Sequence, residues 1–190
     1  TEAFEVTGMA EMCERNYVKW LNLRYLTDKV DISLPRGQVL KKITVPRIIK
    51  ESVVISAAKL KTHSETQVTL GLKNMFGLLP DKLKFRYHAM GINKVIVDVN
   101  TVLKPAFTVI DGFTAMEGYG PTNGNAVKMD TIIAGVDPVA TDATACRVMG
   151  FDPHTISHIK QAYDKALGEI DRIEVVGDGI EAVRKTFRRP

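Results

Sequence analysis

A chain of 190 residues, 45% hydrophobic and 25% charged, suits a single domain with a full core, over residues 1–190. No apolar run approaches the ~18 residues of a membrane helix and no secretory leader is visible, which points away from a membrane-spanning protein and towards a cytoplasmic one. The formal charge of +4 is too small for a nucleic-acid track, and it is concentrated: between Ser56 and Lys94 seven Lys/Arg face two acids, a local +5 that leaves the remainder about neutral.

Taken in order, residues 1–15 predict a helix, with Phe4, Met9, Met12 and Cys13 at helical spacing. Short β-rich pieces follow, and Pro35-Arg36-Gly37 predicts a small hairpin from 28–34 and 38–45. Arg47 to Ser52 allows about one helical turn. Val53 to Ala58 is a continuous apolar run, as expected of a buried strand in a parallel sheet. Residues 65–79 predict a helix with Ser64 as its N-cap, 82–90 a basic loop, and 91–103 a second helix ending before Pro105. Phe107 to Ile110 predicts a strand ending at Asp111-Gly112, followed by a Gly-rich loop over Glu117–Asn125 and a further strand over Met129–Ala134. Asp137-Pro138 and Asp152-Pro153 open two more helices, Asp as cap and Pro at the first position. Ile173 to Val176 predicts a last strand, and the tail from Glu181 to Arg189 a basic helix. Strands alternating with helices predict an α/β domain: a mixed, mostly parallel sheet covered by helices, with the hairpin excursion near 28–45.

The chemistry-bearing residues cluster after the first buried strand. In Lys59-Leu-Lys-Thr-His63, strand alternation puts Lys59, Lys61 and His63 on one face. Two ammoniums and an imidazole repel one another unless an anion or carboxylate lies between them. The C-terminal end of a sheet strand is also where open α/β sheets bind ligands. Lys73-Asn74 lies just beyond, within reach of a helix N-terminus that would favour anions. His88 sits in the basic loop. Asp111 and Glu117 are the best-placed carboxylates, and Gly118 and Gly120 allow backbone to approach a ligand. Asp111 with Asp142 and a histidine is a candidate metal set, without diagnostic spacing. No G-x-S-x-G elbow, H-E-x-x-H, Walker A or kinase motif is present. Cys13 and Cys146 are too few and too far apart to ligate an iron–sulfur cluster or a structural zinc.

The blocks KLKTHSETQVTLGLKNMFG, DGFTAMEGYGP and GVDPVATD stand in order over roughly residues 53–153, and together they resemble the domain of unknown function 362 family. The resemblance implies a mixed α/β domain in a prokaryotic setting. It also implies further sequence ahead of Thr1, so that the chain would be the larger, C-terminal part of a longer family domain. Members often carry a four-cysteine ferredoxin-like segment and an iron–sulfur label; a chain with Cys13 and Cys146 alone departs from that. The resemblance marks Lys59, Lys61, His63, Lys73, Asn74, Gly77, His88, Asp111, Glu117, Gly118, Gly120, Pro121, Asp137 and Asp142, and the family name assigns them no reaction.

These readings predict an enzyme-like domain that binds a phosphate- or carboxylate-bearing small molecule. Lys59, Lys61 and Lys73 would neutralise the anion, His63 or His88 would transfer protons, and Asp111 or Glu117 would orient a base. The alternative is a redox accessory module that docks an iron–sulfur protein through its basic face. Nucleic acid and membrane are not expected partners, since exposed aromatics are not interleaved with the basic residues.

Overall fold

The computed structural model describes residues 2–81 and 84–190; Lys82 and Leu83 of the basic stretch lie outside them. The chain runs α1 (Glu2–Val6), α2 (Met9–Arg15), β1 (Lys29–Ser33), β2 (Lys42–Pro46), α3 (Arg47–Glu51), β3 (Ile55–His63), β4 (Gln67–Val68) and α4 (Gly71–Met75). It continues through α5 (Phe85–Ala89), α6 (Ile92–Val102), β5 (Phe107–Tyr119), β6 (Asn123–Gly135), α7 (Pro138–Val148), α8 (Ser157–Asp164) and α9 (Ile180–Val183).

The expected N-terminal helix is divided at Gly8, whose φ of 71° breaks the helical path. The expected hairpin forms from β1 and β2, which pair antiparallel, with Ile43 and Val45 buried. Its connection is held from a distance. The Asp98 carboxylate of α6 accepts from the backbone N–H of Gln38 at 2.7 Å and of Val39 and Leu40 at 2.9 Å, so the irregular segment has its donors satisfied inside the fold.

The main sheet has the order β4-β3-β5-β6. β3 and β5 run parallel, while β3–β4 and β5–β6 are antiparallel. The mixed α/β architecture is therefore present, with less parallel pairing than the sequence suggests. The reason lies in the glycines. Asp111-Gly112 does not end a strand; it sits at a bulge inside β5, where a Cβ on Gly112 would stand 2.9 Å from the Thr131 carbonyl oxygen and 3.1 Å from Leu60. Glu117–Asn125, expected as a loop, is the tip of the β5–β6 hairpin together with the strand ends that flank it.

β3 is buried on one face only until its last residue, His63, which is buried as well. Ser56, Ala58, Leu60 and Thr62 point into the core, whereas Ile55, Ala57 and Lys59 are exposed. The helices account for this, because α4 packs on β3 and α7 packs on β5 and β6 from the inner side. The same parity along the register leaves Ile55, Phe107, Phe113 and Ile132 exposed on the opposite face.

The helix expected over 65–79 is replaced by β4, α4 and a 3-10 turn at Phe76–Leu78. After β3 the chain doubles back, and Thr69 N–H donates to the Lys61 carbonyl at 2.9 Å. Ser64 is therefore no N-cap; its N–H donates to the Gly120 carbonyl at 2.9 Å. The expected basic loop contains α5. α6 and α7 form as predicted, and Asp137 caps α7 by accepting from Val139 N–H at 2.8 Å and Ala140 N–H at 3.1 Å. Ile173–Val176 is irregular, with Val176 exposed, and the tail is helical only in α9.

Candidate functional site

The end of β3 and the turn after it build a cationic cluster. His63 is buried, and its Nδ1 accepts from Glu65 N–H at 3.1 Å and Thr66 N–H at 3.4 Å. Those bonds require the lone pair on Nδ1, so Nε2 carries the hydrogen and can only donate. Burial first, then the neighbouring Lys73 charge, lowers the His63 pKa from 6.5 to about 4. The imidazole is thus neutral at physiological pH, which departs from the expectation of a proton carrier titrating near 7.

Lys73 projects from α4 and is half-buried. Its ammonium lies 5.7 Å from the Phe76 ring centroid and has no hydrogen-bond or ion-pair partner among the described residues. Burial lowers its pKa, the charges of Lys61 and Lys84 push the same way, and Glu65 opposes them. Lys61 and His88 also lie within electrostatic reach of His63. His88 pairs through Nδ1 with the Glu65 carboxylate and stands edge-on to Phe76, ring centroids 6.3 Å apart. Lys61, His63, Lys73 and His88 are therefore brought together, with Glu65 as the acid among them.

The other sequence candidates are engaged elsewhere. Lys59 pairs with Asp111 across the β3–β5 register at 2.7 Å, and Asp111 also accepts from Phe113 N–H at 2.9 Å. These contacts hold the Asp111 carboxyl below its usual range, the Lys59 bond first. Asn74 donates to Ser56 Oγ and to the Ala57 carbonyl, both at 3.1 Å, and so ties α4 to β3. Glu117 receives Arg188 Nε at 2.7 Å and Arg188 N–H at 2.9 Å, binding the C-terminal tail to the hairpin. The Gly118 carbonyl accepts from Thr62 Oγ1 at 2.7 Å. A Cβ on Gly120 would stand 2.1 Å from the Thr62 carbonyl oxygen, so this glycine serves strand packing.

Asp142 is fully buried on α7 and accepts from Gly71 N–H at 2.8 Å and Leu72 N–H at 2.9 Å. Desolvation raises its pKa to about 7 against those two bonds. It caps α4 from the inner side of the sheet, whereas Asp111 lies on the outer side beside Lys59. The proposed Asp111–Asp142 metal pair is thus separated by the sheet itself, and among the described residues no three His, Cys, Asp or Glu side chains gather as a metal site. Cys13 and Cys146 are both buried and unpaired.

The sequence matches the family described as Domain of unknown function (DUF362) over residues 1–147. The chain belongs to that family. It is also 32% identical over 120 residues to a thylakoid-associated protein of Synechocystis sp., an alignment that covers 58% of this chain and 37% of that relative. The chain thus spans well under two thirds of the relative's length. No solved structure matches. Among the described residues no helix is long and apolar enough to cross a membrane.

Of the DUF362 blocks, the first carries the cationic cluster and the third, through Asp142, fixes the start of α4. One buried titratable residue escaped the sequence reading. His158 on α8 is fully buried and lies within electrostatic reach of Lys73 and His63. It stands outside the blocks, and a lone histidine in an amphipathic helix gives no local signal. Arg188, which holds Glu117, likewise sits in a tail without pattern.

Proposed function

We propose that this DUF362 chain binds an anionic small molecule, bearing phosphate or carboxylate, at the Lys61–His63–Lys73 cluster. The observation that carries the reading is Lys73: a half-buried ammonium beside Lys61 and Lys84, with no hydrogen-bond or ion-pair partner among the described residues. Glu65, the acid nearby, is already paired with His88, and a half-buried cation beside two others is costly unless an anion completes it. His63 supports the same reading, since its Nε2–H is a neutral donor. Lys61 adds charge from the end of β3. His88, held by Glu65, is the histidine best placed to exchange a proton with the ligand. Docking of an acidic iron–sulfur protein on a basic face is less well supported, because Lys59 and Arg86 are already paired with Asp111 and Asp81.

Isothermal titration calorimetry of the chain with inorganic phosphate and with citrate tests this. The expected result is saturable binding to the wild type, weakened at least about tenfold, or about 1.4 kcal/mol, in Lys73→Met. Equal binding by wild type and variant would refute it, as would no heat with either anion.

A further inference from the structure

β6 is the last strand in the sheet order β4-β3-β5-β6, so one of its edges pairs with β5 and the other carries no strand. A groove of about 640 Å³ runs beside it, walled by residues 129–136, by α7 and by the irregular segment that follows α8. Among the described residues no backbone hydrogen bond joins β6 to that segment, and residues 173–178 make no backbone–backbone bond. Yet Ile173-Glu174-Val175-Val176 is strand-forming in composition. A free strand edge and an unpaired, strand-forming segment therefore face each other across the groove. Such an edge presents a row of N–H and C=O groups and is a template for a further strand.

The lining has two characters. Val148 of α7 is buried, and Ile133, Ile173, Ile180 and Val183 are partly buried beside it, which makes the inner side apolar. The charged residues are Asp130, Asp137, Glu169, Glu174 and Asp178 against Arg172, five acids and one base in a chain whose net charge is +4. Asp137 is occupied in capping α7, and Arg172 is held by Glu169 at 3.0 Å. Glu174 and Asp178 are exposed and have no hydrogen-bond or ion-pair partner among the described residues.

We propose that this groove binds a basic polypeptide segment in extended form, which adds as a strand to the free edge of β6. Main-chain hydrogen bonds to β6 supply affinity, and side chains supply selectivity. Successive residues of a strand point to opposite sides. One side here meets the apolar lining against α7, and the other meets the exposed acids. The segment that fits therefore alternates apolar residues with lysine or arginine, and the opposite charges steer it in. A compact small molecule in the same volume leaves the edge of β6 without a strand, so polypeptide is the better match. The groove lies on the opposite edge of the sheet from β4 and does not draw on the anion cluster.

The test is fluorescence anisotropy of a labelled Val-Lys-Val-Lys-Val-Lys-Val-Lys peptide titrated with the chain at low salt. Saturable binding is expected, weakened at least about tenfold in the double variant Glu174→Lys, Asp178→Lys. Both acids are exposed, so the variant leaves the core untouched. The same peptide with every amide N-methylated keeps its charge and side chains but loses its main-chain donors. It should bind at least about tenfold more weakly as well. Hydrogen exchange at the β6 amides should slow in the complex with the unmodified peptide. The proposal is overturned by absence of saturable binding, by equal affinity for the N-methylated peptide or of the double variant, or by unchanged exchange in β6.

Discussion

Replacing His158 with Gln should remove a defined part of the acid sensitivity of the fold. Burial lowers the pKa of this imidazole from 6.5 to about 3, with smaller contributions from Lys73 and His63. Below pH 6.5 the unfolded chain takes up a proton here that the folded chain refuses until about pH 3. Stability from this group is therefore complete above pH 6.5 and is lost as pH falls towards 3. The slope approaches about 1.36 kcal/mol per pH unit below pH 6.5, so the step from pH 6.5 to 4.5 costs about 2.3 kcal/mol. That is a large share of the 5–15 kcal/mol of a typical domain. Other groups titrate in the same window. His63 acts in the same direction, while Asp142, raised to about 7, binds its proton more tightly in the fold and acts in the opposite one. These contributions cancel when the variant is compared with the wild type. Urea unfolding followed through Trp20 fluorescence at the two pH values measures the difference. His158→Gln should lose about 2–3 kcal/mol less than the wild type on acidification. Parallel pH profiles would refute the placement of a neutral, buried ring.

Lys73→Met should weaken phosphate binding while the melting temperature stays level or rises, because an unpaired, half-buried cation is exchanged for an apolar chain of similar length; a marked fall in melting temperature would identify Lys73 as structural. Asp142→Ala strips the acceptor from the N–H groups of Gly71 and Leu72, which at about 1–3 kcal/mol each should lower urea stability by about 2–6 kcal/mol, and a loss under about 1 kcal/mol would argue against the cap. Gly120→Ala drives a Cβ into the Thr62 carbonyl and should cost about 1–3 kcal/mol, readable as a lower urea midpoint at unchanged m-value. Glu117→Gln removes an ion pair whose Arg188 partner is mostly exposed, so its effect should stay below about 1 kcal/mol by the same unfolding assay.

The parts of the fold that were legible in the sequence are those whose causes are local. α6 and α7 were visible from apolar spacing and, for α7, from the Asp137 cap with Pro138 behind it. The β1–β2 hairpin was visible from its turn. The region after β3 was not, because its causes lie far along the chain. α4 begins at Gly71 because Asp142 accepts there, and no nearby residue announces that start. Gly112 read as a strand end and Gly120 as room for a ligand, yet each is small because another strand passes close by. The titratable residues divide in the same way. Lys61, His63 and Lys73 stood out by charge and spacing, whereas His158 becomes informative only when its burial is known.

α4 is the element through which fold and site meet. Five residues cannot hold a helix by their own propensity, so its position must come from tertiary contacts. Asp142 fixes its first two N–H groups, Asn100 donates to the Leu72 carbonyl at 2.9 Å, and Asn74 reaches back to Ser56 and Ala57 of β3. Two polar side chains from α7 and α6, and one of the helix's own, thus fix one short helix, and its remaining polar side chain is Lys73. The polar residues of the family blocks that looked like ligand contacts, Asn74 and Asp142, act instead on the backbone that aims the lysine. That arrangement gives structural residues and ligand-facing residues a common reason to lie in one block.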